Sequence, residues 1–456
     1  MVENGGETIN TGNMIRRALS VAWPAMAEML FVTLAGMIDT KMVGALGNSA
    51  IAAVGLTVQP KFIALTLFFG INVAVSALVA RRKGEQQQEK ANEILVTAGI
   101  ISALLCVAIS ALFTVFAPTL MEWAGSDGAT HQDAVDYFRI IMAGTIFNVI
   151  TMVINAAQRG SGNTRLSMTT NLTSSIVNVI FNYLLIEGHL GFPRWEIKGA
   201  AVATVFGTVV SAGMAVFSLF RANSYVSIPL IRKERIRFSF AAWKSIWRIA
   251  SNSSLENIAA RIGFLATAWV AAPIRLGADV FAAHNIGMQL LSLGFSFADG
   301  MQVAAIALSG EALGAGRKAD ARKYASICQR IGLAISLMLS VGLLFGGKLF
   351  FGFFSSDTHV MALGEIICRY MTVIILLQIS QIIFSGCLRA AGDVWYVLMA
   401  ATVSIAIIRT VVTVVLVFVF HMGLDGVWIG ILADQATRFV LVSTRFRQGK
   451  WVDLKI

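Results

Sequence analysis

Asp39 is the residue of this chain whose type and surroundings best suit ion chemistry. It follows the apolar residues 34–38, and no basic residue lies one helical turn before it. Because apolar surroundings penalise a charge, a carboxyl there can be neutral or ionised, depending on which side its cavity faces. Coupling to protons or sodium requires that exchange. The alternative is an Asp at a helix end that pairs with Lys41.

Three uncharged polar residues could complete a pocket around Asp39. Asn178 and Asn182 are spaced i, i+4, so they share one face of a predicted helix, and Thr204 lies in the next apolar run. The alternative is that these side chains join helices through hydrogen bonds worth about 0.6–2 kcal/mol each.

The second half of the chain carries a different set of charges within apolar runs. The residues are Glu256, Arg261, Asp299, Arg409 and Asp434. We predict that they neutralise one another as structural pairs, with Arg438 and Arg409 as competing partners of Asp434. An ion or a cationic substrate at Glu256, with Asp299, is the alternative. The first half adds Glu28 and Lys61 to the intramembrane charges.

No catalytic constellation is visible in the sequence. The five His are scattered without zinc spacing, and the four Cys lie in or beside apolar runs. Gly342-x-x-x-x-Gly347-Lys348 resembles the start of a phosphate-binding loop, but Leu349 replaces the Ser or Thr that would hold magnesium. We therefore expect no enzyme activity, no metal and no cofactor, and an ion gradient of H⁺ or Na⁺ as the energy source.

The elements that position these residues are membrane helices. The chain is 57% hydrophobic and 13% charged, with a mean hydropathy of +0.74, far more apolar than soluble domains. Runs near the length that spans a bilayer predict an all-α polytopic membrane protein with twelve transmembrane helices. They lie at 15–41, 51–80, 92–117, 137–157, 166–187, 199–220, 246–272, 279–308, 324–351, 363–386, 395–420 and 425–444.

The chain nearly repeats itself when it is shifted by about half its length. Arg159-x-x-Gly162 recurs as Arg389-x-x-Gly392, and Glu28 recurs as Glu256 at almost the same offset. The repeat predicts two pseudo-symmetric six-helix bundles, typical of transporters that alternate access to a site between them. The predicted divisions are an N-terminal lobe (1–221), a cytoplasmic linker (222–242) and a C-terminal lobe (243–456). At the offset of the two arginines, Asp39 corresponds to Trp269.

The net charge of +11 reflects topology rather than nucleic-acid binding. Basic clusters follow the second, sixth and eighth runs, whereas residues 118–136 contain acids and no Lys or Arg. The positive-inside rule then places both termini in the cytoplasm. We expect no cleavable signal peptide, because no compact apolar run followed by a small-residue cleavage site occurs in the first residues of the sequence. We expect a monomer that spans the inner (plasma) membrane several times, with the lipid bilayer and small molecules as its partners.

The motifs resemble those of the multidrug and toxic compound extrusion (MATE) family over nearly the whole chain. Each motif is weak alone, but six occur in order at the right spacing. They are Ile38-Asp39-Thr40 with Met42-Val43-Gly44-x-Leu46-Gly47, Arg159-Gly160-x-Gly162-Asn163-Thr164, Gly199-Ala200-Ala201-x-Ala203-Thr204, Ala282-Ala283-His284-Asn285, Leu313-Gly314-Ala315-Gly316 and Leu388-Arg389-Ala390-Ala391-Gly392-Asp393.

This resemblance implies a V of two bundles that exports amphipathic, often cationic compounds in exchange for protons or sodium. Asp39 would be the coupling carboxylate, with Asn178, Asn182 and Thr204 around it as in DinF-like members. Asn182 departs from the Asp often found there. In NorM-like members a second acid accompanies the one matched by Glu256, and this chain has Gln378 instead.

Two other functions remain open on the sequence. A flippase for lipid-linked precursors, from the same wider superfamily, would need several basic residues facing its cavity. A membrane scaffold or receptor would need neither Asp39 nor a duplicated bundle.

Overall fold

The described residues form twelve long helices in chain order. A computed structural model describes residues 11–221, 224–271, 276–354 and 357–454. The helices are α1 (Thr11–Gly44), α2 (Asn48–Gly84), α3 (Gln88–Val115), α4 (His131–Gly160), α5 (Thr164–Leu185), α6 (Glu196–Ser218), α7 (Phe240–Ala271), α8 (Ala278–Gly314), α9 (Lys318–Phe354), α10 (Thr358–Ala391), α11 (Val394–Val419) and α12 (Gly423–Arg447). No strand occurs in the ranges that the structure describes.

Each of the twelve predicted runs falls mainly on one of these helices, so the prediction of an all-α membrane fold is confirmed. Every helix begins before its predicted run, in most cases because polar or charged residues in the first turn are helical too. Within the described residues, nine are long and apolar enough to cross a bilayer on composition alone. The more polar helices α5, α7 and α12 carry Asn178, Glu256 and Asp434, among other polar residues.

Reciprocal contacts between glycines and backbone show the pseudo-symmetry of the first bundle (α1–α6) and the second bundle (α7–α12). A Cβ on Gly84 would collide with the Glu311 carbonyl oxygen, and one on Gly314 would collide with that of Arg81. The interval from Gly84 to Gly314 in the sequence equals the interval from Arg81 to Glu311. The ends of α2 and α8 therefore cross as two related copies would across a two-fold axis.

The same relation holds deeper between the bundles. Gly70 of α2 lies against the Ala250 backbone of α7, and Gly300 of α8 lies against the Met26 backbone of α1. Side chains larger than hydrogen would push these helices apart, because the backbones leave no room for a Cβ. Each bundle thus contributes its first two helices to the shared interface.

The cleft between the bundles is closed at the end that holds the start of α1. There the Glu311 carboxylate binds Arg17 at 2.6 Å and Lys83 at 3.1 Å, which ties α8 to α1 and α2. At the opposite end, no described atom from outside its own helix lies within 4 Å of a Cβ built on Gly36 or Gly55. The bundles are therefore tied together by ion pairs at the first end, whereas Gly36 and Gly55 have no described neighbour at that distance.

The segment between the bundles is partly helical. A short helix at Ile228–Lys233 follows Val226, which is buried, and Gln88 and Asn92 of α3 donate to the Tyr225 carbonyl. Residues 222 and 223 of the predicted linker lie outside the described residues, as do 1–10 at the N-terminus and 455–456 at the C-terminus.

Candidate functional site

A chain of hydrogen bonds joins the four polar residues of the first bundle that the sequence singled out. The Asn182 amide donates to the Asp39 carboxylate and lies 3.5 Å from the Asn178 side-chain oxygen. Asn178 in turn donates to the Thr204 hydroxyl at 3.1 Å. Helices α1, α5 and α6 thus converge on one polar cluster.

The local sequence explains why these helices approach so closely. A Cβ on Gly207 of α6 would lie 2.6 Å from the Ser174 carbonyl oxygen of α5, one turn before Asn178. Asn182 is fully buried and its side-chain oxygen has no hydrogen-bond partner in the described residues. The Asn182 oxygen and the Asp39 carboxylate are ligands of the kind that a hard cation prefers, and the carboxylate can also bind a proton.

Lys61 and Tyr137 belong to the same cluster. Lys61 of α2 is close enough to Asp39 for an electrostatic interaction, and Tyr137 of α4 lies beside Thr204. A cavity of about 210 Å³, lined by Lys61, Thr204 and the aromatic side chains of Phe62 and Phe69 among others, adjoins them. The alternative, a pair between Asp39 and Lys41, is not observed among the described residues, because Lys41 is exposed and Asp39 turns towards α5.

A buried ion pair lies deeper in the first bundle. Glu28, 1% exposed, accepts from Arg159 at 2.8 Å, from Asn171 at 2.6 Å and from Ser167 at both carboxylate oxygens. Arg159 also donates to Asn72 at 3.0 Å. One carboxylate and one guanidinium thereby connect α1, α2, α4 and α5.

The second bundle holds the counterpart pair. One Arg389 nitrogen contacts both Glu256 oxygens, at 2.6 and 2.7 Å. Asp299 is exposed although it lies in the middle of α8, and it has no hydrogen bond within the ranges described. It is close enough to Arg389 and Glu256 to interact with both charges. Two acids and one base therefore face the cleft.

The structure corrects the predicted role of Arg261. Its guanidinium lies 3.7 Å from the centre of the Phe62 ring and makes no ion pair among the described residues. Arg261 and Glu256 are five positions apart, so at about 100° per residue they point to different sides of α7. Arg261 contacts the first bundle, whereas Glu256 faces α10.

Arg409 and Asp434 do lie together, in a separate cluster. The Arg409 guanidinium is 3.7 Å from Asp434, which also binds Arg438 at 3.1 Å. Arg409 ends a π-helical segment of α11 (Thr402–Arg409) and donates to Thr267 at 2.8 Å. Such π turns shift the helical phase, often at functional positions.

Gln378 is not part of the Glu256 group. It is fully buried, and neither its amide nitrogen nor its oxygen has a partner in the described part of the chain. Its oxygen lies 3.1 Å from the place where Gly294 would carry a Cβ. Within the described residues, no hydrogen bond therefore joins Gln378 to Glu256.

Sequence reasoning missed Arg159 and Arg389 as partners of Glu28 and Glu256. The signal was present, since the shift that takes Glu28 to Glu256 takes Arg159 almost to Arg389. The shift that takes Arg159 to Arg389 pairs Asp39 with Trp269, and that pairing is wrong for helices α1 and α7. The two acids hold the same place in their bundles, and Thr267 follows Glu256 at the spacing by which Asp39 follows Glu28.

Comparisons with known proteins agree over most of the chain. The family model MatE matches residues 24–184 and 253–415. A probable multidrug resistance protein NorM from Thermotoga maritima is 26% identical over 96% of this chain and 93% of its own length. A FAD transporter from Shewanella oneidensis is 26% identical over 76% of this chain and 75% of its own.

A solved structure shares the fold. The MOP superfamily transporter from Pyrococcus furiosus, whose report describes a binding pocket of reverse polarity, superimposes with a TM-score of 0.88 at 23% identity, covering 99% of this chain and 100% of that one. With the match to both repeats, the twelve helices and the two related bundles, this chain belongs to the MATE family of membrane transporters.

Proposed function

We propose that this protein is a secondary active multidrug exporter that exchanges amphipathic or cationic organic compounds for protons or sodium. The observation that carries the proposal is the position of Asp39, which binds Asn182 and lies near Lys61, a residue that lines a cavity inside the first bundle. The NorM name of the Thermotoga maritima relative supports export of drugs.

The coupling step follows from the polar cluster of the first bundle. An arriving proton neutralises the Asp39 carboxylate, or a sodium ion binds it together with the unpaired Asn182 oxygen. Either event changes the balance of charge between Asp39 and Lys61. Because Asp39 lies in α1, which packs on both α5 and the second bundle, this change can alter how the bundles meet.

The ion gradient provides enough free energy for this exchange. An ion that enters along the potential contributes about 2.3 kcal/mol per 100 mV to the export of an uncharged compound. One-for-one exchange with a monovalent organic cation moves no net charge, so the concentration gradient of the ion drives it. Both termini lie on the cytoplasmic side of the plasma membrane, so the end of the cleft opposite the start of α1 faces outward. In that state the protein releases substrate and takes up the coupling ion.

Cationic substrates fit the charges in the cleft. Glu256 and Asp299 contribute two negative charges, and Arg389 cancels one of them. The remaining negative charge attracts an organic cation, while the exposed apolar side chains of the open cleft accommodate its rings and alkyl groups.

The decisive experiment measures transport of a fluorescent organic cation in proteoliposomes, with a pH gradient and a sodium gradient imposed separately. We expect one gradient to drive export by the wild type and Asp39→Asn to reduce it to background, since the amide carries no exchangeable charge. Asp133→Asn, the same substitution outside the polar cluster, is the matched control. Undiminished export by Asp39→Asn in folded protein would contradict the assignment.

A further inference from the structure

The second bundle contains a buried polar cluster where the first bundle has its coupling acid. Thr267 takes the repeat position of Asp39, and it accepts a hydrogen bond from Arg409 Nε at 2.8 Å. The duplicated scaffold thus presents a carboxylate in one copy and a guanidinium in the other.

The charges of this cluster do not cancel. Arg409 and Asp434 are each 1% exposed, and Arg438 is 11% exposed at its side chain. Among the described residues, two arginines face one aspartate, and their other hydrogen-bond partners, Thr267, Gln435 and Ser404, are neutral. A single positive charge remains inside the bundle, where an uncompensated charge costs several kcal/mol.

Arg409 is also short of hydrogen-bond acceptors. Of its five N–H donors, Nε binds Thr267, Nη1 lies 3.7 Å from Asp434, and Nη2 has no partner in the residues described. One face of the guanidinium covers the Phe264 ring, at 4.6 Å from the ring centre. The buried guanidinium therefore keeps donors that an additional acceptor could satisfy.

Two further unpaired groups belong to the same region. Thr413 lies one turn after Arg409 on α11, against Gly430 of α12, and its hydroxyl is buried without a partner in the described residues. His284 of α8, 3% exposed, is close enough to interact with the Arg409 charge, and its Nδ1 is likewise unpaired there. Each can donate a hydrogen bond.

We propose that Arg409, Thr413 and His284 form a binding site for a small monovalent anion of halide size, with chloride as the ligand. The anion would compensate the extra positive charge and accept from the unpaired donors. Burial restricts the site to a small ion, because Arg409 and Thr413 are each 1% exposed. The site is independent of cation coupling at Asp39.

The test uses the purified full chain in detergent, in sodium gluconate, with chloride or bromide titrated at constant sodium. We expect a saturable rise of the unfolding temperature with either halide. Thr413→Val removes one donor without changing shape, and it should raise the half-effective halide concentration about tenfold, as loss of a hydrogen bond to a charged group implies. Thr151→Val, a buried threonine of the first bundle, should leave that concentration unchanged.

Bromide also allows the site to be located directly. Crystals grown in sodium bromide should show an anomalous peak between Arg409 and Thr413, whether or not the variants fold well. Absence of both a saturable halide effect and this peak would overturn the proposal and leave water as the partner of these donors. An equal response to formate would overturn the halide assignment in favour of a carboxylate ligand.

Discussion

The Glu28–Arg159 pair of the first bundle and the Glu256–Arg389 pair of the second occupy corresponding places in the repeat, but their surroundings differ. Glu28 has four donor contacts from three side chains and is sealed from the cleft. Glu256 has Arg389 alone among the described residues and shares it with Asp299. A buried carboxylate with several hydrogen-bond donors has a structural role, whereas a carboxylate with few donors keeps its charge available to a ligand.

The difference extends to the outer polar clusters. The first bundle places an acid, Asp39, near a base, Lys61, and the second places Arg409 among groups with a positive sum. Duplication has supplied the same framework twice, and a few side chains have given the two copies different net charges. This contrast can be tested by substitutions that should act unequally on the two bundles.

The largest effect is expected from Arg159→Met. It leaves Glu28 buried without its counter-ion, and breaking a buried pair in this way costs about 3–5 kcal/mol. The corresponding Arg389→Met should cost less, about 1.5–3 kcal/mol, because Glu256 faces the cleft. Denaturant unfolding in detergent would measure both. The comparison fails if adding Glu28→Gln to Arg159→Met recovers none of the lost free energy of unfolding. It also fails if Arg389→Met lowers that free energy more than Arg159→Met does.

An intermediate effect is expected from Asn182→Asp. The substitution places a second carboxylate beside Asp39 and so strengthens attraction of a cation, by about tenfold or more in apparent sodium affinity. Sodium dependence of transport and of thermal unfolding would report it. Asn148→Asp, on the cavity wall of the same bundle, separates a specific ion site from a general gain of negative charge. An unaltered response to sodium would remove Asn182 from the ion site.

The smallest effect is expected from Asp299→Asn. Loss of one charge partly exposed to water corresponds to about 1 kcal/mol, or about a fivefold rise in the half-saturating concentration of a cationic substrate. An uncharged substrate should be unaffected, and Asp279→Asn at the exposed end of the same helix serves as the control. Equal changes for charged and uncharged substrates would mean that Asp299 supports the structure rather than recognising charge.

The fold was predictable from the sequence because a bilayer constrains it so strongly. Long apolar runs must be helices in lipid, since every backbone group needs an internal partner, and the internal repeat required two related bundles. The polar residues Asn178, Asn182 and Thr204 could be found too, because i, i+4 spacing fixes a shared face. In the structure Asn182 donates to Asp39, and Asn178 donates to Thr204.

The charge partners of the second bundle were not predictable in the same way. Glu256 has both Arg261 and Arg389 as plausible partners in sequence, and only the rotation of α7 against α10 selects the second. Likewise, Gln378 is fully buried and forms no hydrogen bond with Glu256 or with any other described residue. Pairing between distant helices depends on their rotation and depth, which periodicity within one helix does not contain.

By itself, the sequence determined the twelve helices, the two copies, the family and the isolated acid Asp39. The apolar composition and the internal repeat were sufficient, because few backbone structures can span a lipid bilayer. The tertiary structure alone decided that Glu28 is enclosed while Glu256 and Asp299 face a cleft. It also decided that Arg409 binds Thr267 through Nε while its Nη2 has no partner among the described residues. Those outcomes depend on how close two backbones come, and the glycines at 84, 207 and 314 set that distance only once the helices have packed.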